Sequence, residues 1–271
     1  MRACGRRLAE EEGRMTYCLG IMTRQGLVLA SDSRTNSGHD QVNVFSKMHT
    51  FVTPGERTLI ILASGSLSLT QSVVTLLRRD FDRGEGLASV PTLYDAAREI
   101  GNQVRVVSDL DRAALERDDL KFNLHLLLGG QIGSDKTGLF LIYPQGNPLR
   151  ASEDSPFLQI GDAKYGRPIL DRGVHYNHTN LAEAAKYALL SLDSTMRSNV
   201  TVGPPIDLAV YADGELGLTR RCRMTAENEN FRAIRKQWAQ TLRDGVKALP
   251  SVEFGDCPPI ASDTPPAPDA A

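Results

Sequence analysis

Apolar and polar residues alternate with a period of two near the start of the chain. Tyr17, Leu19 and Ile21 share one face, and the alternation resumes over 27–30 after a polar turn, which predicts a β-hairpin. Further short segments, some of them continuous apolar runs that suit buried strands, are bounded by turns and each predict another strand. These further strands cover 43–51, 59–63, 123–130, 138–143, 156–161, 206–211 and 215–221, the last two joined across Asp213-Gly214.

Helical spacing replaces this alternation in five segments. After Gly65, the residues Leu69, Val73 and Leu77 recur on one face and predict an amphipathic helix. Pro91-Thr92 opens a second helix, because the missing N–H of proline costs nothing in a first helical turn. The remaining predicted helices cover 163–172, 180–196 and 231–242.

The order of these elements predicts an α+β fold. Strands grouped in hairpins favour antiparallel sheets over alternating βαβ units. Two sheets with a pair of helices outside each would bury both sheet faces and the helix stripes, which is a four-layer αββα sandwich. We expect one domain over 16–249, preceded by a separate segment at 1–15. A tail rich in Pro, Asp and Ala over 250–271 is predicted to be disordered.

Charge and composition exclude several classes of protein. The net charge of -2 comes from 31 basic and 33 acidic residues, so no nucleic-acid surface or polybasic membrane patch is predicted. The longest apolar runs are far too short to span a bilayer. The four cysteines show no CxxC spacing, which favours a reduced, cytoplasmic protein. No metal site is predicted, since His175 and His178 lie in a polar loop without a third ligand nearby.

Residues 1–15 decide which terminus the mature chain has. They contain no apolar core, so they do not form a secretory signal. They are either a short propeptide or the product of an upstream start codon, with Met15 as the true start. Either route exposes Thr16, since methionine is readily trimmed before a small residue. A terminal threonine carries a hydroxyl nucleophile and an amine base on one residue.

Six motifs agree in order and spacing with a known family. They are MTYCLG, SDSRTNSG, FNLHLLLGGQ, LIYPQGN, QIGDAKYGRPILDR and SNVTVGPPIDL. Over residues 15–238 the chain resembles the proteasome β-type subunits, which are N-terminal nucleophile (Ntn) hydrolases with an αββα sandwich. It is most similar to their bacterial branch Anbu, the ancestral β subunit.

This resemblance implies a threonine-type peptidase that cleaves peptide or amide bonds without a metal or organic cofactor. It also implies a homo-oligomeric ring or open helical ring. Degradation of folded proteins would in addition require an ATPase partner, which this chain does not identify.

The resemblance also assigns roles to individual residues. Thr16 takes the place of the nucleophile, and Asp32 matches the family's aspartate at the end of the second strand. Lys47 matches a lysine on the third strand, and Arg34 matches a basic position found in many active β subunits. Gly65 matches the glycine whose backbone N–H lines the oxyanion hole.

Elementary electrostatics is consistent with these roles. A terminal amine has an ordinary pKa of about 8, and a nearby Lys47 ammonium would keep more of it as free base. Asp32 would pair with Lys47 and hold it in place. The Gly65 N–H, at a strand-to-helix junction, would point toward a developing oxyanion.

The sequence departs from the family pattern in two places. Active β subunits commonly carry a serine after the Ile-Gly pair at 160–161, where this chain has Asp162. A carboxylate there would bind the terminal amine but raise its pKa. Ser198 and Asn199 occupy the region of a late aspartate–serine pair, and its ionised partner is missing or shifted to Asp193.

Two alternatives to a peptidase stay open at this point. A scaffold subunit would keep the fold while residues 1–15 block its N-terminus. A small-molecule amidase of the wider Ntn class would use the same chemistry on other substrates. Nothing in the sequence defines a specificity pocket.

Overall fold

The computed structural model of the protein describes residues 16–36 and 42–253. The predicted segment 1–15 and most of the predicted tail lie outside this range. The strands are β1 (Tyr17–Thr23), β2 (Gly26–Asp32), β3 (Arg34–Asn36), β4 (Val42–Val44), β5 (Met48–Thr53), β6 (Arg57–Gly65), β7 (Leu124–Ile132), β8 (Gly138–Ile142), β9 (Pro148–Arg150), β10 (Phe157–Gly161), β11 (Ile206–Ala212) and β12 (Arg220–Met224). The helices are α1 (Leu67–Asp82), α2 (Leu93–Arg117), α3 (Arg167–Gly173), α4 (Leu181–Ser198) and α5 (Glu229–Ala248), with a short 3₁₀ turn at Gly86–Ala88.

Two five-stranded antiparallel sheets form the centre of the molecule. The first has the strand order β10-β1-β2-β11-β12, and the second has the order β5-β6-β7-β8-β9. In the first sheet, β1 lies between β2 and β10, so Tyr17 is directly opposite Gly161. β3 and β4 form a small separate ribbon that follows β2.

Three apolar layers hold the sheets and helices together. The layer between the two sheets includes Leu29, Leu62 and Leu127, all fully buried. A second layer joins the β5–β9 sheet to α1 and α2, and a third joins the other sheet to α3, α4 and the start of α5. The predicted α+β class and the four-layer αββα sandwich are therefore confirmed.

The outer helices begin at polar caps that the sequence provides. Thr92 accepts the N–H of Asp95 at 3.1 Å and starts α2. Asn180 and Glu183 form a reciprocal capping box at the start of α4, with the Asn180 side chain accepting the Glu183 N–H at 2.9 Å. The helix predicted at 180–196 therefore starts at the predicted position, with Asn180 as its N-cap.

The predicted strand at 43–51 is wrong as one continuous element. Val42–Val44 pairs with Arg34–Asn36 as β4, and β5 starts only at Met48. Residues 45–47 leave the strand because the Ser46 hydroxyl bonds inward to Asp207 at 3.0 Å. Lys47 therefore lies immediately before β5 and not on it.

Two other predicted boundaries are also wrong. The helix predicted at 163–172 begins at Arg167, with Pro168 in its first turn, because residues 163–166 form a separate turn. The strand predicted at 215–221 is β12, which starts at Arg220. Asp213-Gly214 does not close a tight hairpin, since the Gly214 N–H donates to Gln131 of the other sheet at 2.8 Å.

The chain divides into two compact units, 1–235 and 236–271, with the boundary inside α5. Both sheets belong to the first unit. In the described part of the second unit, Leu242, Val246 and Leu249 are exposed. Across the residues that the structure describes, no helix is long and apolar enough to cross a membrane.

Candidate active site

Thr16 directly precedes β1 and is held in place by its own carbonyl. The residue is 7% exposed, and its carbonyl oxygen accepts the N–H of Asp162 at 2.8 Å. Gly161 makes this approach possible. It has a φ of +83°, and a Cβ placed on it would lie 1.9 Å from the Thr16 oxygen. A residue with a side chain at 161 would displace Thr16.

Asp32, at the end of β2, is the centre of a buried polar cluster. Its Oδ1 accepts the Lys47 ammonium at 2.7 Å and the backbone N–H of Tyr17 at 3.1 Å. Its Oδ2 accepts the Gly203 N–H at 3.3 Å. The Asp32 side chain is 0% exposed and that of Lys47 is 10% exposed, so the ion pair is shielded from water.

Burial dominates the electrostatics around this pair. It raises the pKa of the Asp32 carboxyl, while the Lys47 ammonium and the two backbone N–H groups act in the opposite direction. Burial also raises the pKa of the Tyr17 phenol to about 12, against hydrogen bonds from Ser191 and Gln159. The pKa of the fully buried Cys18 thiol is raised for the same reason, so Cys18 is not a thiolate nucleophile.

Arg34 contributes to the site through its backbone. Its carbonyl oxygen accepts a second hydrogen bond from the Lys47 ammonium at 2.7 Å. Its guanidinium donates to the Val200 carbonyl at 2.6 Å. The guanidinium also packs on Gly203, where a Cβ would lie 2.5 Å from the guanidinium carbon, Cζ. Arg34 thus ties β3 to the segment that follows α4.

Gly65 lies at the end of β6, just before α1, as the sequence predicted. Its φ is +118°, and a Cβ on it would lie 2.3 Å from the Asn123 carbonyl oxygen. The Ser66 N–H bonds to Asn123 at 2.9 Å, so by strand alternation the Gly65 N–H faces away from β7. It faces the side on which the Ala63 N–H bonds to the Lys47 carbonyl at 3.0 Å.

The structure joins Asp162 to Asn199 but not to Ser198. The Asn199 amide donates to Asp162 Oδ2 at 2.8 Å, and Lys164 lies 3.9 Å from Oδ1. Ser198 ends α4 with an exposed side chain. Asp193 is buried one turn earlier in α4, where it pairs with Arg197 at 2.9 Å and with Arg235.

Three further groups in the cluster escaped the sequence analysis. The Tyr17 and Gly203 N–H groups are backbone donors, and their role depends on register and loop path rather than residue type. Asp207 on β11 is different, because its side chain is charged and only 1% exposed. An acid between apolar neighbours in PPIDLAV was a signal that this position is paired and buried.

The chain is similar to several solved structures. Neither a family model nor a curated protein matches the chain. Anbu from Pseudomonas aeruginosa, solved as a helical assembly, is 44% identical with a TM-score of 0.83, covering 88% of this chain and 98% of its own. Anbu from Yersinia bercovieri is 42% identical with a TM-score of 0.83, covering 89% and 100%. Anbu from Hyphomicrobium sp. strain MC1 is 39% identical with a TM-score of 0.79, covering 88% and 100%.

The four-layer sandwich and these matches define the class first. The protein has the fold of the proteasome-like N-terminal nucleophile hydrolases. Sequence identity near 40% over almost the full length of the relatives then identifies the family within this class. The chain belongs to the Anbu family, the ancestral β-subunit branch of the proteasome-like proteins.

Proposed function

We propose that this protein is a threonine-dependent peptidase or amidase whose nucleophile is the hydroxyl of Thr16. One observation supports the proposal above all others. Asp32 Oδ1 accepts both the Lys47 ammonium and the N–H of Tyr17, the residue directly after Thr16. A buried ion pair is a costly arrangement in a fold, and here it is tied to the backbone next to the proposed nucleophile.

The proposed mechanism needs the Thr16 amine to be free. The hydroxyl oxygen attacks the carbonyl carbon of the substrate while the amine accepts the hydroxyl proton. The Gly65 N–H stabilises the oxyanion that forms. The amine then returns the proton to the leaving nitrogen, the C–N bond breaks, and an ester remains on Thr16. Water, activated by the same amine, hydrolyses the ester and restores the hydroxyl.

Lys47 and Asp162 act on the same amine with opposite signs. A neighbouring ammonium lowers the pKa of an amine and favours the free base, whereas a neighbouring carboxylate raises it. The hydrogen bond from Asn199 and the weak ion pair with Lys164 disperse the charge of Asp162. We infer that these contacts keep Asp162 compatible with catalysis at neutral pH.

The proposal includes self-assembly and a cytoplasmic location. The relative from Pseudomonas aeruginosa forms a helical assembly, which supports a ring or open helical ring for this chain. Cys18 and Cys222 are both free thiols, in keeping with a reducing compartment. An ATPase partner would be required only for folded substrates.

The test combines intact mass with covalent trapping. The intact mass of the purified protein is measured, and the protein is then treated with a β-lactone. A reactive hydroxyl opens the lactone ring and is acylated, and no leaving group is released. A background with Cys4, Cys222 and Cys257 replaced by Ser removes competing thiols: Cys222 is exposed, and the other two lie outside the described residues. Thr16→Val removes the hydroxyl and keeps the side-chain shape, and Thr225→Val on the loop after β12 is the control.

A chain beginning at Thr16, with one adduct that Thr16→Val abolishes and Thr225→Val retains, supports the proposal. A chain that keeps residues 1–15 and takes no adduct overturns it and favours a scaffold subunit. Turnover of acyl amides but not of a peptide library would favour a small-molecule amidase.

A further inference from the structure

Asp207 connects the two chain segments that carry the Lys47–Asp32 pair. Its Oδ2 accepts the hydroxyl of Ser46 at 3.0 Å and that of Ser33 at 3.4 Å. Ser33 is the residue after Asp32, and Ser46 is the residue before Lys47. One carboxylate oxygen therefore binds the immediate neighbour of each member of the pair.

Arg223 holds this carboxylate in one orientation. The arginine donates from Nε to Oδ1 and from Nη2 to Oδ2, both at 2.8 Å. Such a bidentate pair fixes the plane of the carboxylate as well as its distance from the guanidinium. Burial raises the pKa of Asp207, but the hydrogen bonds from Arg223 and Ser46, together with the charges of Arg223 and Arg221, hold the pKa below its usual value. The group is thus an anion whose four lone-pair directions are largely used.

Backbone bonds close the same arrangement. The Phe45 N–H donates to the Ser33 carbonyl at 3.0 Å, and the Met48 carbonyl lies 3.1 Å from the Ser46 hydroxyl, whose single proton it shares with Asp207. On β11, Asp207 is directly opposite Ser31 of β2, so its backbone lies one residue from that of Asp32. The segment 45–47 belongs to no strand, and the Lys47 carbonyl accepts the N–H of Ala63 on β6 at 3.0 Å. Asp207 adds the side-chain contact that holds Ser46, between Phe45 and Lys47.

We propose that Asp207 is a positioning residue that sets the separation of the Lys47 ammonium from the Thr16 amine. It acts through Ser46 and Ser33 and contacts no substrate. The inference rests on the proposed function, since it assigns a purpose to the location of Lys47. Displacing a charged group by about 1 Å from its working position can cost up to 100-fold in rate.

The variants are chosen to separate positioning from folding. Asp207→Asn keeps the shape and removes the charge, and Ser46→Ala removes a single hydrogen bond. Ser46→Thr restores a hydroxyl at that position. Asp80→Asn is the matched control, because Asp80 on α1 pairs with Arg79 of the same helix and with Gln103 of α2, outside the cluster. Urea unfolding of all four variants identifies any that has lost the fold.

The first readout is kinetic. We expect Asp207→Asn to lower kcat by about tenfold or more with little change in KM, and Ser46→Ala to lower it less. The pH profile of kcat should shift to higher pH in both, because the Thr16 amine would lose the nearby ammonium. Ser46→Thr should restore the wild-type profile. Folded Asp207→Asn and Ser46→Ala proteins with wild-type kcat and pH profile would overturn the proposal.

The second readout needs no activity, so it separates this proposal from the function on which it rests. Acetic anhydride acylates exposed lysines, and Lys47 should be protected in the wild type. Asp207→Asn should raise acylation of Lys47 several-fold relative to exposed Lys136. If the wild type takes no β-lactone adduct, the proposed function fails while this comparison still decides the position of Lys47. Unchanged protection of Lys47 would then show that Asp207 does not position it.

Discussion

The backbone N–H of Tyr17 lies 3.1 Å from Oδ1 of Asp32, the same oxygen that binds Lys47. A single atom thus connects the residue after Thr16 to a buried lysine. Removing either side chain of the ion pair changes the surroundings of that backbone.

Replacement of Lys47 tests whether the pair is buried in solution. Lys47→Met leaves an uncompensated carboxylate on Asp32, and we expect it to cost about 3–5 kcal/mol in the free energy of unfolding. The measurement is urea denaturation at neutral pH. The double variant with Asp32→Asn should recover part of the loss, because the lone charge is gone.

The control for this prediction is an ion pair at the surface. Arg167 and Asp171 are 3.3 Å apart with both side chains about half exposed. Arg167→Met should change the free energy of unfolding by less than about 1 kcal/mol. Equal, small effects for Lys47→Met and Arg167→Met would contradict the burial of the Lys47–Asp32 pair.

Gly161 should tolerate no side chain. Gly161→Ala brings a Cβ against the Thr16 carbonyl in addition to an unfavourable φ of +83°. Gly84 has nearly the same φ, +78°, with nothing within 4 Å of a Cβ, so Gly84→Ala should show the backbone cost alone, about 1–2 kcal/mol. We expect Gly161→Ala to be clearly more destabilised in urea and to lose β-lactone labelling. Equal losses of stability in the two variants would contradict the prediction, because the contact with the Thr16 carbonyl would then add no cost.

Acid should destabilise the protein through two histidines. Burial and the Arg78 guanidinium lower the pKa of His49, and burial lowers that of His125. The His49 Nε2 atom is buried without a hydrogen-bond partner, so a proton there would find no acceptor. The unfolded chain binds protons below about pH 6.5 that the folded chain does not, so stability falls as the pH drops through that value.

This pH dependence can be measured as a slope. Each histidine contributes up to about 1.4 kcal/mol per pH unit below about pH 6.5, until the folded-state pKa is reached. Urea unfolding at about pH 7.5 and about pH 5.5 should show His49→Gln with a smaller difference than the wild type. The control is His178→Gln, which alters an exposed residue and should leave the slope as it was. A difference for His49→Gln equal to that of the wild type would contradict the prediction.

Asp162 should set the pH range of the proposed reaction. Asp162→Asn keeps an oxygen for the Asn199 amide and removes a negative charge near the Thr16 amine. Without that charge the neutral amine is favoured, so the pH profile of kcat should move to lower pH. The measurement is the rate of amide hydrolysis against pH. A shift in the opposite direction would show that Asp162 does not act on the amine by its charge.

Local patterns were sufficient for much of the fold. The stripe of Leu69, Val73 and Leu77 identified α1 because helical periodicity needs no information from elsewhere in the chain. Most strands of the two sheets were predicted from alternation or from short apolar runs for the same reason, but β9, which has only three residues, was missed. Errors arose where a distant group decides the path, as at Ser46, which bonds to Asp207 from another strand.

The candidate site shows the same division. Thr16, Asp32, Lys47 and Gly65 were placed by their resemblance to a family, and the structure brings Asp32 and Lys47 into contact. Whether these four act in catalysis stays a prediction. Asp207 was missed because its function depends on partners far away in sequence, and the spacing of a single strand contains no trace of them.

The two bonds that anchor Thr16 and Tyr17 have a consequence for maturation. The carbonyl of Thr16 and the N–H of Tyr17 are both downstream of the peptide bond that joins residues 15 and 16. Cleavage of that bond would break neither hydrogen bond, so the new terminus at Thr16 would already be in its position in the site. In the proposed function, removal of residues 1–15 is therefore compatible with a chain that has already folded.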